Sequence, residues 1–227
     1  MVNFFNEQDI DIADYIEHAV LHPTSTTEQI KQGCNIAIGN NFPVVCVYPN
    51  AVKQATELLY NHRVELAVVV GFPTGASTPH IKFAEAQEAI ENGARQVDMV
   101  MNLGWLKEGK SEQIYNEIAM ITSELSVPVK VILETNLLTI EEKQLAVEIC
   151  LDAGASFLKT CTGWFGGATI DDVKLLHEMS RGKIPIKASG GIRTLSHAIG
   201  LINAGASRLG TSQGVQILQE QRNFGKR

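Results

Sequence analysis

The sequence predicts an α/β protein, a closed barrel of eight parallel strands with helices outside, and three observations carry that reading. Short Val- and Ile-rich runs alternate with longer amphipathic segments along the chain. The short runs are almost continuously apolar, as strands buried on both faces of a parallel sheet must be. A Gly-Ala repeat recurs as NGARQVDMV from Asn92, AGASFLKT from Ala153 and AGASRLGTS from Ala204, with glycines Gly93, Gly154 and Gly205 ending the preceding helices. The intervals of 61 and 51 residues between those glycines each hold two strand-and-helix units, so the repeat marks alternate strands of one regular array. That regularity favours a closed barrel over an open doubly wound sheet. Eight units in 227 residues leave about 28 residues each, near the lower end for a TIM (β/α)8 barrel. No linker, composition break or low-complexity tract interrupts the chain, so a single domain covers 1–227 with its core at about 10–220.

In chain order the strand segments are 18–21, the weakest, then 44–48 (VVCVY), 66–71 (LAVVVG), 97–102 (VDMVMN), 129–134 (VKVILE), 157–160 (FLKT), 184–188 (IPIKA) and 208–210 (RLG). The helix starts carry clearer marks. Thr139 with Glu142 and Thr169 with Asp172 resemble capping boxes, and Thr78 before Pro79 puts proline at the first helical position. Helices of about 10–14 residues fill the intervals, as in other globular domains.

Composition excludes several classes. With 44% apolar and 19% charged residues, the chain can bury a sizeable core. No apolar run reaches the roughly 18–20 residues needed to span a bilayer, and MVNFFNEQDIDIAD lacks a signal-peptide pattern, so the expectation is a cytoplasmic protein without membrane contact. Nineteen Lys and Arg against 25 Asp and Glu give a net charge of −6 with no basic stripe, which argues against nucleic acid as a partner. Cys34, Cys46, Cys150 and Cys161 lie far apart among apolar neighbours without a CxxC pair, so they read as buried reduced thiols rather than disulfides or zinc ligands.

The repeat also aligns charge. Five residues beyond each repeat glycine stand Asp98, Lys159 and Gly210, on alternate strands whose inward residues share a layer. Strand parity adds Asn102 to the face of Asp98, and places Lys187 on the face of Pro185 and Ser189. A single strand lysine reads most simply as a stem that snorkels to water. Lys130 fits that description: Glu134 lies four residues on along the same face, and a structural charge pair absorbs both, so Lys130 stays outside the site. Two lysines converging with an acid are a different matter. Neighbouring ammonium groups repel, one gives up its proton more readily, and a neutral amine can form a Schiff base with a carbonyl substrate. Near the carboxyl end of the chain, Ser189, Gly190, Gly191, Ile192 and Arg193 follow one strand, and Gly210, Thr211 and Ser212 the next. Gly-rich turns serve any tight bend. After the last two strands of a barrel, however, backbone amides and hydroxyls at helix amino ends commonly hold phosphate.

Seven motifs in order, VCVYP at Val45, VGFPTGA at Val70, DMVMNLGWLKEGK at Asp98, KVILET at Lys130, FLKTCTGW at Phe157, KASGGIRT at Lys187 and RLGTS at Arg208, resemble the deoxyribose-phosphate aldolases, class I aldolases of the TIM-barrel type. The likeness covers about 16–212. It implies a lyase of deoxyribonucleotide catabolism and carbohydrate degradation, reversibly cleaving 2-deoxy-D-ribose 5-phosphate to D-glyceraldehyde 3-phosphate and acetaldehyde. No metal or organic cofactor is implied, and the family's habit implies a homodimer. By position, Lys159 resembles the Schiff-base lysine, Lys187 the cation that eases its deprotonation, and Asp98 the proton-relay acid. Gly163, Gly190, Gly191, Gly210 and Ser212 match positions lining the phosphate end, and Cys46 a cysteine near the substrate channel.

The chain departs from the family near its amino end, where Asp-His-Thr-Leu-Leu-Lys-Pro is common and Glu17-His18-Ala19-Val20-Leu21-His22-Pro23 stands here. A threonine hydroxyl and a lysine are missing from a polar lining. Cys161 and Trp164 replace the common serine and phenylalanine; they read as a packed thiol and a wall or lid. His18 and His22 stand four apart and would meet a metal only from a helix face, without an accompanying HExxH or carboxylate set. His80 reads as a solvated residue at a helix start. Two rival functions remain open: isomerase or lyase chemistry on another sugar phosphate, or a non-catalytic barrel that senses a phosphorylated metabolite.

Overall fold

The computed structural model describes residues 10–224. Residues 1–9, most of the stretch read above for a signal peptide, lie outside the described residues, as do 225–227.

Eight strands alternate with helices: β1 Ile16–Val20, α1 Thr27–Gly39, β2 Val44–Val47, α2 Val52–Leu59, β3 Glu65–Val70, α3 Pro79–Glu91, β4 Gln96–Val100, α4 Leu103–Lys107, α5 Ser111–Glu124, β5 Val129–Ile132, α6 Ile140–Asp152, β6 Phe157–Lys159, α7 Ile170–Met179, β7 Ile186–Ser189, α8 Leu195–Asn203, β8 Ala206–Thr211 and α9 Gly214–Phe224. The strands pair in parallel in chain order, and β1 pairs with β8 to close the barrel. This is the TIM (β/α)8 barrel that the alternation predicts. α4 is an extra short helix between β4 and α5.

Caps define the helix starts. Thr139 and Glu142 form the reciprocal capping box expected of them. Thr169 accepts from Asp172 N, but the Asp172 carboxylate turns instead to Thr135 and Lys143. Pro79 opens α3, where the missing proline N–H costs nothing, and His80 beside it is exposed. Gly93, Gly154 and Gly205 follow α3, α6 and α8 with positive φ, so each repeat glycine turns the chain from a helix into the next strand.

Strand parity sorts the side chains into two cores. Val45, Val47, Val68, Val97, Met99, Val131, Leu158, Ile186 and Leu209 point outward into the large apolar layer beneath the helices. Inside the barrel, Val44, Cys46, Ala67 and Val69 of β2 and β3 form a small separate cluster. The rest of the interior, from β1, β4, β5, β6 and β7, holds Val100 and Ile132 beside a set of buried charged side chains. β1 begins earlier than its apolar signal, because Glu17 faces that polar interior while His18 packs outward against Phe42 with ring centroids 6.0 Å apart.

Candidate active site

The count of five residues from each repeat glycine lands on β4, β6 and β8 as expected. Asp98 and Lys159 are buried within the barrel. At the third position, a Cβ on Gly210 would sit 3.0 Å from Lys187 Cε and 2.8 Å from Ser189 Cβ, so the missing side chain leaves the path of the Lys187 stem clear. β6 and β7 pair with Lys159 opposite Lys187, which brings the two amines together from adjacent strands.

A carboxylate stands between them. Asp98 Oδ2 accepts from Lys159 Nζ at 2.8 Å and from Lys187 Nζ at 2.7 Å, while Oδ1 accepts from Lys130 Nζ at 3.0 Å. Lys187 also donates to Glu17, whose Oε2 lies 3.6 Å from Lys130 Nζ. Glu17, Asp98, Lys130, Lys159 and Lys187 thus form one network, with none of the five more than 3% exposed. Two expectations are corrected here. Lys130 belongs to this cluster and pairs with Asp98 and Gln96 rather than Glu134, because the strand breaks its parity before residue 134. Asn102 lies past the end of β4, where its side chain caps α4 by accepting from Trp105 N at 3.1 Å. Glu17 escapes sequence reasoning because a lone acid in a weak strand carries no pattern; its trace in the sequence is the acid that opens the motif in which the chain departs from the family.

Fully ionised, the network holds three ammonium groups and two carboxylates, one positive charge in excess. Burial opposes the charge on Asp98, but Lys130, Lys159 and Lys187 together hold its carboxyl well below the ordinary range. Burial likewise opposes the charge on Lys187, yet Asp98 and Glu17 outweigh it and keep the ammonium protonated beyond the usual lysine range. Lys187 is therefore a firm cation. Lys159 has one carboxylate partner among these groups and lines the cavity beside Cys46 and Thr162. Burial, and next the charge of Asp98, push the Cys46 thiol up to about 11, so it donates weakly to Asp98 Oδ2 across 3.9 Å and is not a thiolate.

Above the network opens a cavity of about 780 Å³ at the carboxyl ends of the strands. Lys159, Lys187, Cys46, Gly163, Gly190, Gly191, Gly210 and Ser212 all line it, and Asp98 lies buried below them. Its far wall is the pair of Gly-rich turns that lead into α8 and α9, so backbone amides and two helix amino ends face the space. Gly190 is required there twice over. Its φ is +89°, and a Cβ would lie 3.0 Å from both Gly163 Cα and Gly166 O, where the β6 and β7 turns stack backbone on backbone. Trp164, about half exposed, borders the cavity, while Cys161 is buried and accepts from Asn136 Nδ2 at 3.0 Å. His18 and His22 do not share a helix face. His18 is buried on β1 behind Phe42, and His22 bonds Thr24 at 2.8 Å.

Known proteins match this arrangement along most of its length. The chain is 57% identical over 216 residues to the deoxyribose-phosphate aldolase of Microcystis aeruginosa, covering 95% of this chain and 96% of that one. It is 45% identical over 221 residues to the protein of the same name from Methanothermobacter thermautotrophicus, covering 96% and 99%. Among solved structures, the aldolase QR15 superposes with a TM-score of 0.91 at 39% identity, covering 96% of this chain and 98% of that one. A tetrameric deoxyribose phosphate aldolase from Aeropyrum pernix superposes with a TM-score of 0.89 at 30% identity, covering 96% and 93%. The family model described as DeoC/LacD family aldolase matches residues 12–220, a span that contains the barrel, the lysine network and both glycine turns, and the chain belongs to that family.

Proposed function

We propose that this chain cleaves 2-deoxy-D-ribose 5-phosphate reversibly to D-glyceraldehyde 3-phosphate and acetaldehyde through a Schiff base on Lys159. The observation that carries the reading is the Lys159 amine, which lines the open cavity and shares Asp98 Oδ2 with the firm cation Lys187. Of the two lysines that line the cavity, Lys187 is held by both Asp98 and Glu17, whereas Lys159 has Asp98 alone and is the one placed to act as the nucleophile.

The neutral amine attacks C1 of the open-chain sugar, and loss of water leaves an iminium. The C3 hydroxyl then gives its proton to Asp98 through a water, the C2–C3 bond breaks, and its electron pair moves through C1 to the iminium nitrogen. Glyceraldehyde 3-phosphate leaves and an enamine remains. The same relay returns the proton to C2, and hydrolysis releases acetaldehyde and restores the lysine. Conversion of Lys159 to a neutral enamine removes one of the three cations around Asp98, which raises the basicity of the carboxylate at the step that needs it. The phosphate rests on the amides of Gly163, Gly190, Gly191 and Gly210 and on the Ser212 hydroxyl, a cradle suited to an anion in a protein of net charge −6.

Borohydride added with acetaldehyde or with the sugar phosphate, followed by peptide mass spectrometry, tests the chemistry. A reduced adduct on Lys159 is the expected result, and active enzyme without one overturns the Schiff base. With this reading go a cytoplasmic location, a role in deoxyribonucleotide catabolism and a homodimer, the last of which light scattering measures directly. Among the described residues no helix is long and apolar enough to cross a membrane.

A further inference from the structure

Beyond the last paired residues of β5 and β6, Ile132 and Lys159, the two chains stay joined but fall out of step. Leu133 N donates to Lys159 O at 2.9 Å and Thr135 N donates to Thr160 O at 3.0 Å, so a two-residue step on one strand opposes a one-residue step on the other. Glu134, two residues past the end of β5, sits in left-handed backbone at φ 54°, ψ 57° and precedes the 3-10 turn Thr135–Leu137. Left-handed backbone is costly for any residue with a Cβ, and such positions persist where the surrounding structure holds them, often beside functional sites. A glutamate continuing the strand would share the face of Lys130. Instead, Glu134 crosses to the turn after β6, where its Oε2 accepts from Thr162 N at 3.0 Å and from the Thr162 hydroxyl. The side chain is buried, and its Oε1 has no hydrogen-bond partner among the described residues.

The consequence falls on Thr162, which lines the cavity next to Gly163. A threonine hydroxyl ordinarily rotates to donate or to accept as the ligand requires. Here its hydrogen is committed to Glu134, and Trp164 N donates to the same oxygen at 3.1 Å. What remains for the cavity is a lone pair. Burial pushes the Glu134 carboxyl up, against the two bonds from Thr162, but with or without a proton on Oε1 the oxygen facing Thr162 accepts.

We propose that Glu134 is a positioning residue that fixes the Thr162 hydroxyl as a hydrogen-bond acceptor, and so selects phosphorylated aldehydes carrying a hydroxyl beside the carbonyl. The proposal rests on the aldolase reading above: with sugar C1 on Lys159, the C3 oxygen at the Asp98 relay and the phosphate at the glycine turns, the C4 hydroxyl, which stands beside the carbonyl of glyceraldehyde 3-phosphate, is the donor that Thr162 can receive.

The test compares glyceraldehyde 3-phosphate with 3-oxopropyl phosphate, the same chain without that hydroxyl, as partners of acetaldehyde, and reads the ratio of their kcat/KM values. Wild type favours the hydroxylated partner. In Glu134→Ala the ratio falls by about tenfold, the worth of one such hydrogen bond, with most of the change in KM for glyceraldehyde 3-phosphate. Glu134→Gln keeps the wild-type ratio, because its amide oxygen accepts both Thr162 bonds. Thr162→Val loses as much as Glu134→Ala, and the double variant loses no more than either. Thermal melts check folding. Should Glu134→Ala fail to fold, Glu134→Asn carries the same test, since asparagine accepts left-handed backbone but is too short to reach Thr162. A wild-type ratio in folded Glu134→Ala or Glu134→Asn, equal losses in Glu134→Gln and Glu134→Ala, or an unchanged ratio in Thr162→Val overturns the proposal. Borohydride trapping on the same wild-type preparation separates the two readings: no adduct on Lys159 fails the aldolase reading, whereas an adduct with an unmoved ratio fails only the role of Glu134.

Discussion

Asp98 serves three ammonium groups and Glu17 shares two of them, so the proton balance of Lys159 depends on residues that never meet the substrate carbonyl. Removing a cation and removing an anion from this network must act in opposite directions. Lys187→Met leaves two carboxylates with two lysines and cancels the excess charge, so adduct formation on Lys159 moves to higher pH. Glu17→Gln leaves three ammonium groups with one carboxylate, and the same profile moves to lower pH. Borohydride trapping across a pH series reads both, with far-UV circular dichroism confirming the fold, since a buried charge that loses its partner costs about 3–5 kcal/mol. Shifts of the same sign would show that the charge count is not what governs the amine. At this scale the sequence reveals much of the site. The repeat arithmetic reaches Asp98 and Lys159 because a five-residue offset from a helix-ending glycine is geometry. It fails for Glu17 and Lys130, whose place is decided by which partner stands across the barrel.

The turns carry the next level of constraint, and there backbone packing explains more than side chains do. A methyl added to Gly190 would meet Gly163 Cα and Gly166 O at 3.0 Å, and neither neighbour is a flexible side chain that could swing aside. Gly109 has a similar positive φ of +69° but open space around its Cβ position. The pair separates strain from crowding. Gly109→Ala bears the left-handed penalty alone, about 1 kcal/mol, whereas Gly190→Ala adds overpacking and costs about 3 kcal/mol in urea unfolding. Gly190→Ala also weakens inhibition by inorganic phosphate, as Gly109→Ala does not; equal stability of the two variants would contradict the packing account. Most elements are legible in the sequence, since apolar runs mark the strands and Thr139 or Thr78 mark helix starts. The left-handed turn at Glu134 is not, because VKVILE reads as one unbroken strand although β5 ends at Ile132. The short helix after β4 is hidden for a related reason: Asn102 continues the strand pattern by parity, yet its side chain caps α4.

Closure of the whole barrel runs through β1, the strand with the least apolar signal and an unusual outward residue. His18 stands opposite Thr211 in the β1–β8 pairing and opposite Val45 in the β1–β2 pairing, so it lies at the seam where the first and last strands meet. It is 5% exposed, stacked on Phe42, and its Nδ1 has no hydrogen-bond partner among the described residues. Burial lowers its pKa from the ordinary 6.5 to about 4. Between those values the unfolded chain binds a proton that the folded chain refuses, so stability falls as pH drops through the window and is fully regained above it. The difference of roughly 2.5 units corresponds to about 3 kcal/mol, a large share of the 5–15 kcal/mol that holds a typical domain together. Asp98, held well below its ordinary value, stays ionised in the folded chain while the unfolded carboxyl begins to take up protons toward pH 4, so it adds to the fall at the acid end of the window. Glu85 and Glu117 act the other way, because burial raises their carboxyls and the folded state takes up protons first. A direct comparison with His18→Leu removes those contributions, as both proteins share them. The urea midpoint of wild type is expected to drop relative to His18→Leu as pH is lowered from 6.5 to 4, and to hold a constant offset from it above pH 7. Parallel midpoints across the whole range would mean that the seam histidine accepts its proton without opening the barrel.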